Sequence, residues 1–537
     1  MQLLTSPRFL GFLSVVAIAA CVTMTAPAPA QAQVTAYRQA VAEAASRDDA
    51  IAEFYRSNDY RPIWTGADDA GMARRQALLD AVAAASDHGL PAQRYDPHAL
   101  RAMMQAARTP RDLGALEVEL SRVFVQFATD IQTGILTPKK VDADIVRKVP
   151  LRDRTAYLTN FTQSTPAGFF RKLPPQSPEY ARLMREKMRL ETILAAGGWG
   201  AQVPGTTLRP GENGDGVVRL RNRLMRMGYL TRSATAQYDA KMQAAVQQFQ
   251  LDHGLDADGV AGPSTVRQVN IEAQERLQSV IVAMERERWI NQPLGQRHIL
   301  VNITDFSARI MDDNKVTFQT RSVVGKNDPA RRTPEFSDVM DHMVINPSWF
   351  VPRSIATGEY LPLLQRNRNA VSYMEITDRN GRRVNRANVN FANYTARTFP
   401  FSMRQPPSSR NALGLVKFMF PNKYNIYLHD TPAKNLFSHE TRDYSHGCIR
   451  LADPFDFAYT LLARQSDDPV GFFQSHLRSG AESRVNLTDP VQVHIIYRTA
   501  FTVAKGKTNY RADVYGRDAN IWRALAREGV ALRAGQV

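Results

Sequence analysis

Two short stretches near the C-terminus contain the residue types needed for thiol chemistry. The first includes His429, and the second holds His446, Gly447 and Cys448 in succession. The only other cysteine in the sequence, Cys21, lies in an apolar N-terminal stretch. In an exported protein, a thiol without a disulfide partner is either buried or reactive, and these neighbours favour reactivity. Because a free thiol with a pKa of about 8.5 is mostly protonated at neutral pH, a nearby imidazole would be needed to activate it.

The N-terminus has the features of a secretion signal. Arg8 precedes an apolar run over residues 9–22, and a tail rich in alanine and proline follows. This pattern predicts a signal peptide over residues 1–32. The residues before Cys21 also resemble a weak lipobox, so lipidation at Cys21 is the alternative to simple cleavage. No other apolar run approaches the roughly 18 residues of a membrane span, which predicts a mature protein that is soluble or merely anchored.

The formal charge is strongly positive, which favours anionic binding partners. The sequence carries 68 basic and 52 acidic residues, a net charge of +16, and the basic residues are dispersed along the chain. Nucleic acid is not expected as a partner, because an exported chain does not meet it. Cell-wall polymers rich in carboxylates are the anion we predict. The alternative is that the excess arginine only solvates the surface.

The spacing of the histidines and the cysteine resembles the signature of L,D-transpeptidases with the YkuD catalytic fold. His429 lies 16 positions before the run Ser445-His446-Gly447-Cys448-Ile449-Arg450. Three further stretches, at residues 332–336, 346–352 and 427–432, resemble the large multidomain branch of that family. Together the similarity covers roughly residues 30–520.

The chain is predicted to be an α+β multidomain protein, since 537 residues are too many for one core. We expect a helical N-terminal scaffold domain and a small three-helix peptidoglycan-binding domain. A mainly β YkuD-type catalytic domain with a lid insertion should follow. The expected boundaries are 33–203 for the scaffold, 204–270 for the peptidoglycan-binding domain, 271–296 for a connecting helix, 297–500 for the catalytic domain with its lid at about 355–411, and 501–537 for a C-terminal extension.

The periodicity of apolar residues predicts individual elements. Apolar side chains recur at helical spacing over residues 113–131, and a second helix should begin after Ser177. In the region after residue 204, two related amphipathic helices end near Gly228 and Gly254. Short β-rich runs begin near residue 298. They cover residues 298–303, 306–311, 316–324 and 339–345, and later 413–420, 424–429 and 491–497.

The resemblance implies roles for the residues of the signature. Cys448 would be the nucleophile and His429 the general acid/base. His446 would support the site, and the backbone N–H groups at Gly447 and Cys448 would stabilise an oxyanion. His446 lies two residues before the cysteine, where an extended backbone separates the two side chains by about 6 to 7 Å. His429, which ends a predicted strand, is free of that restriction.

Four further residues are candidates for substrate contact. Arg450 could pair with a substrate carboxylate, or it could form a structural salt bridge. Ser445 is expected to cap the cysteine loop with its hydroxyl group. Tyr427 and Trp349 lie in the stretches that carry the resemblance.

The resemblance implies an L,D-transpeptidase of the periplasm or cell envelope that acts on peptidoglycan stem peptides and glycan and is a target of carbapenems. No cofactor or metal is expected. A zinc site built from His429, His439, His446 and Cys448 is a competing hypothesis, but the sequence repeats no metal-site spacing. An L,D-carboxypeptidase would use the same residues, and an inactive wall-binding scaffold is the alternative from another class. The sequence leaves the acyl acceptor open: a second stem, a lipoprotein lysine or a free D-amino acid would each supply an amine.

Overall fold

The computed structural model describes residues 29–532, with side chains from Gln33 onward. The predicted signal peptide lies outside the described residues, apart from the backbone of residues 29–32, and Cys21 lies outside them as well. Within residues 29–532, no helix combines the length and the apolar character needed to cross a membrane.

The first part of the described chain is helical, as predicted. Its helices are α1 (Pro29–Ala45), α2 (Asp49–Ser57), α3 (Asp69–Ala83), α4 (Pro97–Ala106), α5 (Pro110–Thr133), α6 (Pro138–Val141), α7 (Arg154–Thr162), α8 (Pro166–Lys172) and α9 (Pro178–Ala195). The apolar stripe predicted over residues 113–131 lies on α5, which begins with a capping box formed by Thr109 and Asp112. Ser177 caps α9 as expected.

One buried carboxylate fixes the Ile63-Trp64 segment against α5. Glu117 accepts hydrogen bonds from the N–H groups of Ile63 at 2.6 Å, Trp64 at 3.1 Å and Thr65 at 2.8 Å. Trp64 is fully buried and stacks on Phe161 with ring centroids 5.1 Å apart. This aromatic residue therefore belongs to the core of the helical region.

Helices α10 (Asp215–Arg226), α11 (Ala240–Asp252) and α12 (Pro263–Val269) lie in the region predicted to bind peptidoglycan. Both predicted glycines adopt the left-handed conformation after a helix, with φ of +79° at Gly228 and +69° at Gly254. The buried faces of these helices share one hydrophobic core with α9 and with the helix that follows, α13 (Ala273–Trp289). The region with α10 to α12 therefore packs against α9 and α13.

Helix α13 buries charged side chains in its last turns. Four consecutive residues are each less than a tenth exposed: Glu285, Arg286, Glu287 and Arg288. Arg286 pairs with Glu335 at 2.8 Å and with Asp518 at 2.7 Å. Glu285 accepts the N–H of Leu136 at 2.9 Å. Since these partners come from distant parts of the chain, α13 connects the helical region to the β-rich region.

The β-rich region begins after α13. Its strands are β1 (Arg297–Asn302), β2 (Ser307–Asp312), β3 (Lys315–Gly325), β4 (Phe336–Ile345), β5 (Trp349–Phe350), β6 (Glu375–Thr377), β7 (Ser402–Gln405), β8 (Val416–Met419), β9 (Leu428–His429), β10 (Asp443–Ser445), β11 (Ile449–Leu451), β12 (Ser483–Ile496), β13 (Ala500–Phe501) and β14 (Asn509–Tyr510). Its helices are α14 (Arg353–Ile355), α15 (Leu361–Arg366), α16 (Pro454–Leu462), α17 (Pro469–Arg478) and α18 (Arg517–Arg527). Each predicted β-rich run contains a strand.

Nine of these strands form one sheet, in the order β10-β3-β11-β9-β8-β4-β12-β1-β2. Because β2 also pairs with β3, the sheet closes on itself around a hydrophobic core. Strands β9 and β11, which flank the predicted catalytic residues, are neighbours in its middle. This mixed architecture, helical first and β-rich afterwards, confirms the predicted α+β class.

Two strands of the predicted lid insertion, β6 and β7, form a small sheet with β5, which precedes the predicted start of the lid, in the order β5-β7-β6. A separate buried cluster, which includes Trp349, Leu361, Met374, Phe391 and Met403, packs beneath it. These strands are only two to four residues long, so their alternation is too brief to be recognised in the sequence.

The part of the C-terminal extension that the structure describes returns to the helical region. Strand β13 pairs with β14, and α18 packs on α13. Residues 533–537 lie outside the described residues.

We predict that Glu335→Gln lowers the free energy of unfolding by about 3–5 kcal/mol, because it leaves the buried guanidinium groups of Arg286 and Arg517 without this carboxylate. Urea unfolding followed by circular dichroism would measure the change. The matched control is Arg382→Gln, which removes an exposed ion pair with Asp378 and should cost about 0–1 kcal/mol. Equal losses in the two variants would contradict a structural role for the buried network.

Candidate active site

The parallel pairing of β9 with β11 puts the predicted catalytic residues on one face of the sheet. Leu428 lies opposite Ile449, and both side chains are fully buried in the core. Side chains alternate between the two faces of a strand, so the residues flanking this pair share the opposite face. They are Tyr427, His429, Cys448 and Arg450.

The cysteine loop is shaped by two hydroxyl groups. Ser445 donates to the carbonyl oxygen of Cys448 at 2.5 Å and accepts the N–H of Gly447 at 3.1 Å. Thr333 donates to the carbonyl oxygen of Gly447 at 2.7 Å. Gly447 has a φ of +112°, which a residue with a Cβ rarely adopts. The glycine in the signature is therefore required by the backbone conformation of the loop.

These bonds decide which backbone N–H groups are available to an oxyanion. The Gly447 N–H is already engaged by Ser445. Among the hydrogen bonds of the described residues, none uses the N–H of Cys448. Of the two predicted donors, the Cys448 N–H is the one that is free to bind a ligand.

The Cys448 thiol is half-buried and has polar contacts on two sides. Its Sγ atom donates to the carbonyl oxygen of Asn425 at 3.4 Å, and the Tyr427 side chain also hydrogen-bonds it. Burial raises the pKa of Cys448 to about 11, although the Tyr427 bonds and the charge of Arg450 oppose this shift. The resting sulfur is therefore a neutral thiol.

His429 is buried and neutral. Burial, with help from the positive charges of Arg450 and Lys417, lowers its pKa to about 3, while backbone hydrogen bonds to Asp430 and Leu413 oppose the shift. The Nδ1 atom hydrogen-bonds the carbonyl oxygen of Asp430. Since a carbonyl only accepts, Nδ1 carries the proton and Nε2 of the neutral ring keeps its lone pair.

The side chain of Asp430 is itself held in place, which fixes the backbone that orients His429. Its carboxylate binds Lys434 at 2.8 Å and accepts the N–H of Leu415 at 2.9 Å. The histidine does not hydrogen-bond the thiol: none of the described hydrogen bonds joins His429 to Cys448. The two side chains share a face of the sheet, but the thiol is directed to Asn425 and Tyr427.

His446 contacts the insertion. Its Nε2 atom lies 2.6 Å from Oε1 of Glu359, which also pairs with Arg331 at 3.0 Å. Glu359 lies between α14 and α15, within the predicted lid. His446 therefore joins the cysteine loop to the lid, a supporting position compatible with the role expected of it.

Arg450 has no carboxylate partner among the described residues, so the structure does not contain the salt bridge offered as the alternative for it. Its Nε atom is buried and without a hydrogen bond. Burial lowers the pKa of this guanidinium, and the nearby Cys448 opposes the shift. An unpaired cation beside the thiol is suited to a substrate carboxylate.

Trp349 and Tyr427 extend the site toward the insertion. Trp349 hydrogen-bonds the hydroxyl group of Tyr427, which itself contacts Cys448, and packs against Tyr360 with ring centroids 6.2 Å apart. These side chains link the thiol to the core of the insertion. The sequence offered them only through the resemblance, and their contact with the sulfur depends on the fold.

Several residues of the site were not among the sequence candidates. Asp430 and Thr333 lie in stretches that carry the resemblance, which was the available signal for them. Asn425 and Glu359 had no such signal. The zinc hypothesis finds no cluster within residues 29–532, where no group of three or more His, Cys, Asp or Glu side chains is placed to hold a metal ion.

Three family models match successive parts of the chain. Residues 49–186 match a scaffold domain, and residues 213–269 match a domain described as "Putative peptidoglycan binding domain". Residues 296–492 match the L,D-transpeptidase catalytic domain, YkuD. These three matches confirm the predicted resemblance to multidomain L,D-transpeptidases with a YkuD catalytic domain, a scaffold domain and a peptidoglycan-binding domain.

The chain is also similar in part to individual proteins. A curated protein of Haemophilus influenzae named "Putative L,D-transpeptidase" is 28% identical over 246 residues, which are 45% of this chain and 48% of the relative. The chain thus spans about half the length of that relative. Crystal structures of L,D-transpeptidases from Xylanimonas cellulosilytica and Stackebrandtia nassauensis are 15% and 14% identical, each over 55% of this chain and over 98% and 97% of their own. Their TM-scores of 0.18 and 0.22 are too low to establish a common overall fold.

We predict that alkylation of Cys448 by iodoacetamide rises about tenfold per pH unit from pH 7 to 10, because a thiol with a pKa of about 11 is almost wholly protonated in that range. Reactions quenched at timed intervals and analysed by peptide mass spectrometry would give the rate of alkylation of Cys448. Free glutathione, as the control, should level off near its ordinary thiol pKa. A plateau for Cys448 below pH 8 would indicate a preformed thiolate and contradict the neutral resting state.

Proposed function

We propose that this chain is a cysteine L,D-transpeptidase that remodels or cross-links peptidoglycan in the periplasm or cell envelope. The Cys448 sulfur attacks the carbonyl carbon of the third residue of a tetrapeptide stem. The amide bond to the terminal D-alanine breaks, and D-alanine leaves with the proton that the thiol gave up. An amine of an acceptor then attacks the thioester, forms a new amide and releases the thiol.

The observation that carries this proposal is the pairing of β9 with β11, which brings His429 and Cys448 to one face of the sheet. Both groups are neutral at rest, because burial disfavours the charged form of each. A neutral imidazole that carries its proton on Nδ1 could accept the thiol proton at Nε2. Rotation of the thiol away from Asn425 would begin the reaction.

Two groups support charge development in the substrate. The free N–H of Cys448 is suited to the oxyanion of the tetrahedral intermediate. The unpaired guanidinium of Arg450 is suited to a carboxylate of the stem. Tyr427 and Trp349 would position the donor peptide beside the sulfur, and closure of the insertion through Glu359 and His446 would exclude water from the thioester.

The matched domains suggest a separate role for each of the three regions. The region with α10 to α12 would bind peptidoglycan, the helical scaffold would support the other parts, and the closed sheet would perform the chemistry. A carboxypeptidase that passes the acyl group to water would use the same residues, so the product distinguishes the two activities.

We predict that Cys448→Ala abolishes release of D-alanine from a disaccharide tetrapeptide, because it removes the only sulfur in the site. Mass spectrometry of the products would show cross-linked dimers or amine adducts for the parent protein. The free energy of unfolding should change by no more than about 1 kcal/mol, since the side chain is half-buried and alanine removes only its sulfur atom. Turnover above a few per cent in the variant would contradict the thiol mechanism, and tripeptide as the sole product of the parent would favour the carboxypeptidase.

We predict that His429→Gln slows acylation by a carbapenem by about two to four orders of magnitude, the range for loss of a general base. His446→Gln should cost less, because that residue acts through its contact with Glu359. The measurement is the single-turnover rate of adduct formation at Cys448, followed by intact-protein mass spectrometry.

His439→Gln is the matched control, since His439 stacks near Tyr444 outside the pair of strands. It should keep the rate of the parent protein. A larger loss for His446→Gln than for His429→Gln, or an adduct on another residue, would overturn the assignment of His429 as the base.

A further inference from the structure

A cavity of about 500 Å³ lies where several separate parts of the chain meet, and none of the residues of the candidate active site lines it. Its walls come from α9, the ends of α10 and α11, the start of α13 and the loop between β13 and β14. The residues that matter for its chemistry are Arg185, Trp199, Tyr229, Arg276, Lys507 and Tyr510. The cavity is therefore shared by the scaffold, the peptidoglycan-binding region and the C-terminal extension.

Positive charge dominates this cavity. Five of the lining residues are cations, namely Arg182, Arg185, Arg189, Arg276 and Lys507, and one is a carboxylate, Glu186. The carboxylate is already engaged, because Arg189 binds it at 2.7 Å and the Tyr510 hydroxyl group donates to it at 2.8 Å. Arg182 pairs with Glu179 at 3.2 Å. Within residues 29–532, the ion pairs thus leave Arg185, Arg276 and Lys507 without a carboxylate.

Arg276 is a buried cation that has no carboxylate partner among the described residues. It is only 4% exposed, and its guanidinium lies 4.5 Å from the centroid of the Tyr510 ring. Its hydrogen bonds go to the carbonyl and side-chain oxygens of Gln268, at 3.1 and 2.8 Å. Burial lowers the pKa of Arg276 to about 10. Neutral acceptors compensate a buried charge only in part, so a bound anion would stabilise it further.

The cavity also presents aromatic surfaces and a free donor. Trp199 is 4% exposed, and its indole N–H has no hydrogen-bond partner among the described residues. Buried polar groups are almost always paired, so an unpaired donor in a cavity wall indicates a missing acceptor. Lys507 lies 4.9 Å from the centroid of the Tyr229 ring, which presents a flat surface next to the cations.

We propose that this cavity is a second peptidoglycan site, which binds a carboxylate-bearing stem peptide with its adjoining sugar. The carboxylate would be held by Arg185, Arg276 and Lys507, the indole N–H of Trp199 would donate to a peptide or acetamido oxygen, and the tyrosine rings would pack against the sugar. This choice of ligand rests on the proposed function. Because the site is composite, a bound stem would hold the peptidoglycan-binding region against the scaffold and would keep the enzyme on its polymer during turnover.

The test measures binding in full-length protein carrying Cys448→Ala, so that no turnover is needed. The probe is a disaccharide tetrapeptide, titrated by isothermal calorimetry. The test variant adds Arg185→Gln and Lys507→Gln, both on the accessible side of the cavity. The matched control adds Lys505→Gln instead, an exposed lysine of the same loop that does not line the cavity.

We expect two binding events in the control and weakening of one of them by about tenfold in the test variant, as loss of charge-assisted hydrogen bonds implies. The same event should weaken when the carboxyl groups of the probe are converted to carboxamides. Equal binding by the two proteins, or equal binding of the amidated probe, would overturn the proposal. Failure of the thiol mechanism would leave this result unchanged, since the binding experiment contains no active thiol.

Discussion

The four charged residues that end α13 form the interaction on which the arrangement of the chain depends. Arg286 holds Glu335 before β4 and Asp518 on α18, Glu285 binds the backbone after α5, and Glu287 pairs with Arg498 after β12 at 2.5 Å. Each of these charges is buried, so each needs its partner. The scaffold, the closed sheet and the C-terminal helix must therefore assemble around this helix together.

The same network reaches the catalytic loop. Arg517, a neighbour of Asp518, binds Glu335 at 3.3 Å and donates to the carbonyl oxygen of Thr333 at 3.0 Å. The hydroxyl group of Thr333 in turn donates to the carbonyl oxygen of Gly447. The backbone conformation before Cys448 is thus connected to α13 through a continuous set of polar contacts. The conformation of the cysteine loop is thus linked to the helical region as well as to the sheet.

Burial governs the chemistry of the site. Burial removes water from both side chains and raises the free energy of a thiolate or an imidazolium. The pKa of Cys448 is therefore raised and that of His429 is lowered. In the mechanism that we propose, proton transfer would accompany attack on the substrate, and a neutral thiol would resist oxidation better than a thiolate. Glu359 contacts both His446 and Arg331 and so connects this site to the insertion. Binding of a substrate beside Cys448 and the position of the insertion should therefore influence each other.

The sequence by itself determined the features that depend on local pattern. The stripe over residues 113–131 specified α5, and the spacing of His429 and Cys448 indicated the class of chemistry. The β-rich runs located seven of the nine strands of the closed sheet and missed the short strands β10 and β11. Tertiary structure alone decided which groups contact these residues: the Asp430 carbonyl on His429, Asn425 and Tyr427 on the thiol, and Glu359 on His446. It also created the basic cavity, whose walls come from segments as far apart in the chain as Arg182 and Tyr510. Periodicity and motif spacing act over a few residues and can be recognised in a single sequence, whereas such contacts require loops to close and buried charges to find partners, and those are properties of the folded chain as a whole.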